Sequence, residues 1–562
     1  MKRVFLVVSS LHSLLRKYRG QFIVAAIASV AAGLCSSGIL AVVNCRLKGV
    51  VVPYLPVPAL FALLVAIYLS ASLLAELLHL RIAEAELANL RFQLSKQILN
   101  LPLRRLETIG SGNLFASLTS DLDKIILIIV KIPSFILNVS TAVGCGIYIV
   151  LVSPKVAAMI LVYLAGSAVL YVVPFRLSER YIVTVRENWD DLCRSFHSVT
   201  QGAKELLMHH HRRRSFLMER IQRTCGEIQR NMIKGKSIHN FAYRWGDTLY
   251  FIGLGGFLFL AAPYLALPNK DLTSIIWALL YMVIPIHFVI NWGPNFQDIV
   301  ISIQKLNAIG FSFDYDEADE DIAGAEAPIR EREGHPLLQL TGVRYTYFNQ
   351  DEEGSFAVGP LTLTLQRNQI IFLTGGNGSG KTTLMKIICG LYSPESGEIR
   401  WNGEPIDDSN RSLYRQFFSV VFSDFYLFDE LFGLDKSHCE SRAETYLHRL
   451  KLNRKVSLNE GKLSTIDLSQ GQRKRIALLV AFLEDRPFYI FDEWAADQDP
   501  VFKRIFYHEI LPDLRSRQKT VLVISHDEAY YHVADRLIKL EDGHLKEENV
   551  AGEAGRLAAT GA

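Results

Sequence analysis

The residues that could do chemistry begin with a glycine-rich stretch in the C-terminal half of the chain. The apolar, β-branched run QIIFLT, residues 369–374, leads directly into GGNGSGKT, residues 375–382, and then into the helix-forming TLMKIICGL. Strand, glycine loop and helix is the context that a phosphate-binding loop requires. In such a loop backbone N–H groups surround a phosphate, Lys381 reaches phosphate oxygens and the Thr382 hydroxyl can bind Mg²⁺. The stretch therefore predicts a nucleotide site.

A pair of acidic residues ends a second short apolar run further along the chain. The run FYIF, residues 488–491, is followed by Asp492 and Glu493. An aspartate at the C-terminal end of a buried strand can hold Mg²⁺ through water, and an adjacent glutamate can orient an attacking water molecule. Many ordinary strands end in acids, so the pair alone is weak evidence. Its position downstream of the phosphate loop favours a second part of one hydrolytic site.

The composition of the chain indicates what kind of protein positions these residues. Of its 562 residues, 50% are hydrophobic and only 21% are charged. This is too apolar for an ordinary soluble multidomain enzyme. The formal net charge of +3 does not suggest a protein that coats a polyanion, so no nucleic-acid partner is expected. The seven cysteines are odd in number and form no CxxC pair, which indicates neither a disulfide framework nor a zinc cluster.

Six segments are long and apolar enough to span a membrane. Residues 21–44 are free of charge for 24 residues, and a helix rising about 1.5 Å per residue then crosses a hydrocarbon core of about 30 Å. The comparable segments that follow are residues 58–80, 125–152, 156–175, 248–269 and 272–297. We therefore predict a transmembrane domain over residues 1–310, an acidic linker over 311–335 and a soluble domain over 336–562.

The positive charges between the spans predict the orientation of the chain. Twenty-five Lys and Arg residues lie before span one, between spans two and three, and between spans four and five, against four in the alternate loops. The positive-inside rule then places both termini in the cytoplasm. The two cation-rich connections are long and contain many helix-forming residues, so the spans beside them should continue as helices into the cytoplasm.

Two further motifs make the likeness to a known family specific. LSQGQRKRIAL, residues 468–478, lies between the phosphate loop and Asp492, and ISHD, which contains His526, follows Glu493. In this order the motifs resemble the ATP-binding domain of ABC transporters. Six spans joined to such a domain resemble an ABC exporter half-transporter over nearly the whole chain. The resemblance implies a six-helix α transmembrane domain followed by an α/β ATPase domain with a phosphate-binding loop.

The resemblance also implies a role for each motif residue toward ATP and Mg²⁺. Glu493 would be the catalytic carboxylate, and His526 would sense the γ-phosphate. Thr382 and Asp492 would hold Mg²⁺. The other nucleotide-binding residues of the loop and the following helix would be Gly375, Asn377, Gly378, Ser379, Gly380, Lys381, Thr382 and Thr383.

A homodimer is implied as well, because in this family each ATP lies between two ATP-binding domains and one chain supplies one domain. Ser469, Gly471 and Gln472 would contact the γ-phosphate that the partner's loop binds. Asp499 would lie in the loop that links the two sites.

Two positions leave alternatives open. Tyr347 in YTYF is similar to the aromatic residue that stacks on adenine, while Tyr345 is a neighbouring candidate and a plain edge-strand tyrosine is the other interpretation. The family pattern V-x-Q-x-x-x-L-F has a glutamine that reaches Mg²⁺, whereas VVFSDFYLF places Ser423 there. The serine side chain is two heavy atoms shorter, so Ser423 would reach the metal only through a closer loop or a bridging water. Asp424 could take over this role or could face water.

Three segments resemble one branch of the family, the exporters of cyclic peptides and peptide siderophores of the pyoverdine and syringomycin type. They are QGAKELLMHHHRRRSF, VFSDFYLFD and DEWAADQDP, at residues 201–216, 421–429 and 492–500. The branch implies ATP-driven export of an amphipathic cyclic peptide or peptide siderophore precursor across the bacterial inner membrane, in contact with membrane lipid. The alternatives are a lipid or multidrug exporter and a nontransporting regulatory subunit, since no cavity residue identifies the cargo.

Polar residues of the membrane half each allow two interpretations. Consecutive residues on a helix point about 100° apart, so histidines 209–211 cannot readily share a metal ion, and a solvated helix or a coupling contact is favoured. Lys131 either extends to the inner interface or faces a watery cavity. His287 and Asn291 are four residues apart and so share one face of span six. They either contact substrate or form the ordinary polar stripe of a helix bundle.

Overall fold

The protein is described by a computed structural model that covers residues 17–48, 56–265, 267–290, 292–311, 335–348, 355–434 and 436–550. These residues form two compact units. The first is drawn from Met1–Leu99 and Ile109–Tyr315, and the second from Asn100–Thr108 and Asp316–Ala562. The predicted acidic linker lies outside the described residues except at its two ends.

Helices build the N-terminal half of the chain. In chain order they are α1 (Arg19–Leu47), α2 (Val57–Asn100), α3 (Leu103–Ile109), α4 (Ser111–Val152), α5 (Pro154–Gln201), α6 (Ala203–Met208), α7 (His210–Tyr264), α8 (Asn269–Ile290) and α9 (Trp292–Ile309). Among the described residues, six of these helices are long and apolar enough to cross a membrane, namely α1, α2, α4, α5, α7 and α8. The first four predicted spans each overlap one helix. The fifth, 248–269, overlaps α7 and reaches the first residue of α8, and the sixth, 272–297, extends past the end of α8 into α9.

Helix lengths agree with spans that continue beyond the bilayer. Helix α2 has 44 residues, so at about 1.5 Å per residue it is roughly 66 Å long, about twice the thickness of the hydrocarbon core. Helix α5 has 48 residues and follows α4 after one residue, Ser153, whose extended backbone (φ −157°) interrupts the helical conformation. Pro154 then occupies the first turn of α5, where its missing N–H leaves no helical hydrogen bond unmade.

Small residues allow α1 and α4 to approach closely within the first unit. A Cβ atom placed on Gly33 would lie 2.5 Å from the backbone oxygen of Leu137, a distance that no larger residue could tolerate. The buried face of α1 has the same character, with residues Ala25, Ala28, Ser29, Ala32, Ser36 and Ser37. Close backbone approach between small residues is the usual way in which helices pack inside a membrane.

Two main sheets form the second unit. The first is antiparallel, with the order β2-β1-β4-β5, and its strands are β1 (Leu338–Phe348), β2 (Ser355–Leu365), β4 (Ser396–Trp401) and β5 (Glu404–Pro405). The second has the order β12-β11-β3-β10-β9-β6 and is parallel except for its edge strand β12. Its strands are β3 (Ile370–Thr374), β6 (Phe418–Val421), β9 (Phe488–Asp492), β10 (Thr520–Ile524), β11 (Arg536–Glu541) and β12 (His544–Val550).

Helices cover the parallel sheet and bury its central strands on both faces. These helices are α10 (Lys381–Ile388), α11 (Arg411–Arg415), α12 (Lys436–Arg449), α13 (Gln470–Glu484), α14 (Pro500–Ile505) and α15 (Leu511–Ser516), and a hairpin of β7 (Leu458–Asn459) and β8 (Lys462–Leu463) precedes α13. Alternate residues of β3 enter different clusters: Ile370 and Phe372 pack with α12 to α15, whereas Ile371 and Leu373 pack with α10 and the antiparallel sheet. Strands buried in this way read as the continuous apolar runs seen in the sequence.

Helix α3 packs on the second unit although it lies between two helices of the first. The Glu107 carboxylate accepts a hydrogen bond of 2.8 Å from the Lys386 ammonium and one of 2.5 Å from the Tyr392 hydroxyl. Leu103 packs beside the core cluster that contains α10. Residues 100–108 therefore group with the second unit, whereas the contiguous boundaries predicted from the sequence place them in the first domain.

Candidate functional site

Three neighbouring parallel strands end at one edge of the sheet and bring the predicted site residues together. Strand β10 lies between β3 and β9, with Ile524 paired to Leu373 on one side and to Asp492 on the other. The residues that follow these strands are the glycine loop, Glu493 and His526. The carboxyl edge of a parallel sheet is where α/β proteins place ligands.

The loop after β3 has a backbone that only glycine can adopt at key positions. Gly375 has φ +145°, and a Cβ atom there would lie 2.1 Å from the oxygen of Leu540. Gly380 has φ +98°, and a Cβ atom there would lie 2.7 Å from the Val358 side chain. Helix α10 begins at the next residue, so its unpaired N–H groups and the positive end of its dipole point toward the loop. This arrangement can hold an anion.

Side chains of the loop are placed for phosphate oxygens. The Lys381 ammonium donates hydrogen bonds of 2.8 Å to the backbone oxygens of Gly375 and Gly376. Burial lowers the pKa of Lys381, while Glu493 and Asp492 raise it. The buried Ser379 hydroxyl has no hydrogen-bond partner among the described residues. A buried hydroxyl and an ammonium bound to two backbone carbonyls fit a loop that receives a phosphate.

Oxygen ligands suitable for Mg²⁺ lie beside this loop. Asp492 is buried at the end of β9, and its carboxylate accepts a hydrogen bond of 3.0 Å from the Ser423 hydroxyl. Burial raises the pKa of Asp492, and the hydrogen bond from Ser423 lowers it. Thr382 is exposed at the start of α10. A hydroxyl and a carboxylate are hard oxygen ligands that suit Mg²⁺, so the residues present fit this cofactor.

Glu493 and His526 form a partly exposed pair at the mouth of the site. The Nε2 atom of His526 lies 3.5 Å from Oε1 of Glu493. The backbone of Glu493 is left-handed, with φ +49° and ψ +33°, which is uncommon for a residue with a side chain. A carboxylate and an imidazole at this distance can orient a water molecule and exchange protons with it. The two residues that the sequence assigns to hydrolysis are therefore adjacent.

The LSQGQ segment begins helix α13 and packs on the loop after Glu493. Ser469 and Gln472 form a capping box at the first turn of α13, in which the Ser469 N–H donates a bond of 3.3 Å to Gln472 Oε1. A Cβ atom on Gly471 would lie 2.9 Å from the Asp497 oxygen. The Asp499 carboxylate caps α14 by accepting the Phe502 N–H at 2.9 Å and lies 2.7 Å from Arg475. The side chains of Gln472 and Asp499 thus have structural partners of their own.

One residue of this region was not predicted from the sequence. Lys474 lies on α13 and is buried, and its ammonium contacts the backbone oxygen of Glu493 at 2.9 Å and the Asp497 carboxylate at 2.8 Å. Lys474 stands between Arg473 and Arg475 in the sequence, and the motif gives no sign that it is buried or which atoms pair with it.

The two tyrosines proposed for adenine differ in exposure. Tyr345 is 2% exposed and stacks on Tyr392 with ring centroids 4.7 Å apart, so its ring belongs to the core. Tyr347 is 40% exposed on the same strand, β1. Of the two, Tyr347 is the one with a face that a base could reach.

His287, in the first unit, has a polar partner that the sequence did not indicate. His287 Nε2 on α8 lies 2.5 Å from Asp247 Oδ1 on α7, and the His287 ring packs 5.1 Å from Tyr243. Asn291, predicted to share a face with His287, lies outside the described residues. Lys131 is half-buried in α4, and histidines 209–211 are exposed where α7 begins. His287 is thus paired within the helix bundle.

Comparison with known proteins gives independent findings on family and fold. The sequence profile of the family described as "ABC transporter" matches residues 358–496. The chain is 33% identical over 462 residues to the ATP-binding protein SyrD of Pseudomonas syringae pv. syringae, which covers 81% of this chain and 82% of that protein. It is 28% identical over 345 residues to the ATP-dependent lipid A-core flippase of Alkalilimnicola ehrlichii, covering 58% and 56% of the two chains.

A solved structure shares the fold along almost the whole length. The structure of a bacterial Atm1-family ABC exporter with ATP bound superposes with a TM-score of 0.71, covering 98% of this chain and 99% of that one. Its sequence is only 16% identical, so the likeness concerns the fold alone. The predicted fold class, six transmembrane helices followed by an α/β ATPase domain, is confirmed by this match and by the helices found here.

Proposed function

The chain belongs to the ABC transporter family, as a multi-pass membrane protein that couples ATP hydrolysis to transport, and from this we propose that it works as a homodimeric exporter. The adjacency of Glu493 and His526 beside the phosphate loop is the observation that carries the proposal. These groups supply hydrolysis, and a second copy of α13 supplies Ser469 and Gly471 to each ATP. The domain boundaries that we propose are 1–310, 311–335 and 336–562, with residues 100–108 packed on the ATPase domain.

In the proposed reaction, residues of this chain bind ATP, orient water and accept a proton. The Lys381 ammonium exchanges the carbonyls of Gly375 and Gly376 for phosphate oxygens, because an ionised acceptor forms the stronger hydrogen bond. Glu493 orients a water molecule toward the γ-phosphate and takes its proton, while His526 donates a hydrogen bond to a γ-phosphate oxygen. Thr382 and Asp492 would hold Mg²⁺, which would supply positive charge against the phosphate oxygens. Tyr347 stacks on the adenine.

Transport follows if ATP favours the conformation in which the two ATPase domains are closed. A ligand shifts a conformational equilibrium only as far as it binds one state more tightly than the other. ATP held between two domains binds the closed state with more contacts than the open state. Hydrolysis removes these contacts and resets the transporter. The distribution of Lys and Arg supports an inner-membrane protein with both termini in the cytoplasm.

The cargo that we propose is an amphipathic cyclic peptide or a peptide siderophore precursor. Support comes from the three segments at residues 201–216, 421–429 and 492–500, and from the 33% identity to SyrD over most of the chain. A lipid cargo is the second candidate, favoured by the 28% identity to a lipid A-core flippase.

Transport into liposomes tests the proposal. The purified protein is reconstituted with its ATPase domains outside, and ATP-dependent uptake is followed for a labelled amphipathic cyclic peptide and for a labelled lipid A analogue. The Glu493→Gln variant serves as the control that binds ATP without turnover. Uptake of the peptide alone supports the first cargo class, and movement of the lipid analogue alone supports the second. ATP hydrolysis with neither movement, nor stimulation by either compound, would contradict both.

A further inference from the structure

Lys474 is a buried cation in the ATPase domain, with only 2% of its surface exposed. Its ammonium lies 2.8 Å from the Asp497 carboxylate and 2.9 Å from the backbone oxygen of Glu493. A charge taken out of water is stable only when it is paired and hydrogen-bonded, and both conditions are met here by residues on one short loop. The Lys474 side chain therefore connects the N-terminal part of α13 to the loop that follows β9.

The contact falls on the one residue of this loop whose backbone is unusual. Glu493 is left-handed, a conformation that residues with a Cβ atom adopt rarely and keep only when their surroundings impose it. Its N–H donates a bond of 3.1 Å to the Ile524 oxygen, and its carbonyl accepts the bond from Lys474. The peptide groups on both sides of Glu493 are thus held, one by β10 and one by α13.

The main chain of Lys474 is held to the same loop. Trp494 donates a bond of 2.8 Å from Nε1 to the Lys474 oxygen. The Trp494 ring is fully buried and stacks on Phe506 with centroids 4.4 Å apart, so it is a rigid donor. We call the four residues Lys474, Glu493, Trp494 and Asp497 the lysine clasp. The clasp explains why DEWAAD carries a tryptophan and a second aspartate after the acidic pair.

We propose that Lys474 is a positioning residue for hydrolysis: it fixes the left-handed backbone of Glu493 and so aims the Glu493 carboxylate. This inference rests on the proposed catalytic role of Glu493. The carboxylate is attached directly to the backbone that Lys474 holds, and small errors in the placement of a reacting group reduce rates strongly. Helix α13 also begins with Ser469, five residues before Lys474. In the proposed dimer, the clasp links the segment that contacts one ATP to the carboxylate that serves the other.

The test replaces Lys474 by methionine, which keeps a long side chain and removes the ammonium. The chain offers a closely matched control in Lys519, whose ammonium contacts both the Asp485 carboxylate and the Asp485 backbone oxygen at 3.0 Å. Asp485 is also left-handed, with φ +50°, and it ends α13. Asp485 lies about 24 Å along the helix from Ser469, so Lys519→Met removes the same kind of contact far from the site.

Rates of ATP hydrolysis and affinities for ATP are measured in the full-length protein for the parent, Lys474→Met, Lys519→Met and Glu493→Gln. We expect Lys474→Met to lower kcat about 10- to 100-fold while the KM and Kd for ATP change less than about threefold. Lys519→Met should keep kcat within about threefold of the parent. A parental kcat for Lys474→Met, or an equal loss in both lysine variants, would overturn the inference.

Two additions keep the result decisive. If Lys474→Met does not fold, Lys474→Gln is used in its place, because glutamine also lacks the ammonium and has a shorter, neutral side chain. The same measurement applies, namely whether kcat falls while KM stays near the parental value. Glu493→Gln separates this inference from the proposed function. If Glu493→Gln is slow and Lys474→Met is fast, only the role of Lys474 is wrong. If Glu493→Gln hydrolyses ATP at the parental rate, the catalytic assignment itself fails.

Discussion

The Ser423 hydroxyl donates a hydrogen bond of 3.0 Å to the buried Asp492 carboxylate. This bond favours the ionised form of a group that burial pushes toward the neutral form, so the serine opposes the rise in the pKa of Asp492. The serine stands where related proteins carry a glutamine that reaches the metal. Its contact with Asp492 indicates a supporting role, in which Ser423 favours the ionised form of the carboxylate that we propose as a metal ligand.

Replacement of Ser423 is therefore expected to have a small effect. A single hydrogen bond is worth about 1 kcal/mol net, so Ser423→Ala should lower ATPase activity by less than about tenfold. The neighbouring Asp424 is exposed, and Asp424→Ala should reduce the stimulation of ATPase by cargo more than the basal rate. Activity is measured with and without cargo. Loss of all hydrolysis in Ser423→Ala with a silent Asp424→Ala would mean that the serine binds the metal directly.

Glu493→Gln should keep ATP binding and lose turnover. Removal of a group that orients water and accepts its proton lowers rates by about 10² to 10⁴, and the amide keeps the shape of the side chain. The measurements are ATP affinity, single-turnover hydrolysis and the fraction of cross-linked closed dimer, which should rise because ATP persists. Hydrolysis at the parental rate would remove Glu493 from this role.

Mixed dimers test whether each site is built from two chains. Gly471 has no room for a side chain, because a Cβ atom there would lie 2.9 Å from the Asp497 oxygen. Gly471→Asp should therefore disrupt the LSQGQ segment. With Lys381→Ala on one chain and Gly471→Asp on the other, both changes meet at one site and the second site is intact. With both changes on one chain, each site carries one defect.

The first arrangement should hydrolyse ATP at least about tenfold faster than the second. The assay uses dimers purified by a different affinity tag on each chain, and dimers with one single change serve as controls. Equal rates in the two arrangements would argue against a composite site.

Glu484 gives a prediction about pH and stability. Burial raises the pKa of Glu484 above the ordinary value of 4.5, and a hydrogen bond of 3.0 Å from Ser419 only partly offsets this. Between the pKa of Glu484 in the unfolded chain and its higher pKa in the folded protein, the folded protein binds more protons. The stability that protonated Glu484 contributes is therefore present below the unfolded pKa and is lost as pH rises through the folded pKa. Glu484→Gln cannot ionise, so its unfolding temperature should exceed that of the parent at pH 7 to about 8.

That gain should vanish near about pH 4, where the parent carboxyl is also protonated. Calorimetry of the detergent-solubilised protein at several pH values measures the difference. Glu444→Gln on α12 is the control, because Glu444 is exposed and the same change there should leave the unfolding temperature unaltered. A Glu484→Gln variant that is less stable than the parent at neutral pH would show that the ionised carboxylate is favourable.

The parts of the site that could be predicted are those in which the motif and its geometry are local. Gly375 and Gly380 need positive φ values that the loop itself imposes, and Glu493 and His526 meet because adjacent parallel strands end together. The transmembrane spans could be predicted because long apolar segments are stable in the hydrocarbon core of a bilayer.

Contacts between distant segments could not be predicted. Lys474 finds Glu493 and Asp497 nineteen and twenty-three residues later, and nothing in LSQGQRKR indicates which atoms will pair with its ammonium. Tyr345 and Tyr347 are equivalent in the sequence, and only the packing of Tyr345 on Tyr392 separates them. Asp247 and His287 pair across two helices in the same way. Such contacts depend on tertiary packing, which a linear pattern does not encode.

The position of residues 100–108 has a consequence for anyone who recombines this transporter with its relatives. Residues 100–108 group by their contacts with the ATPase domain, although they lie more than two hundred residues upstream of it in the chain. A chimera that exchanges only residues 336–562 would leave Lys386 and Tyr392 facing a foreign helix in place of Glu107. Functional grafts should therefore carry two pieces of the donor chain, the long C-terminal segment and this short upstream insert.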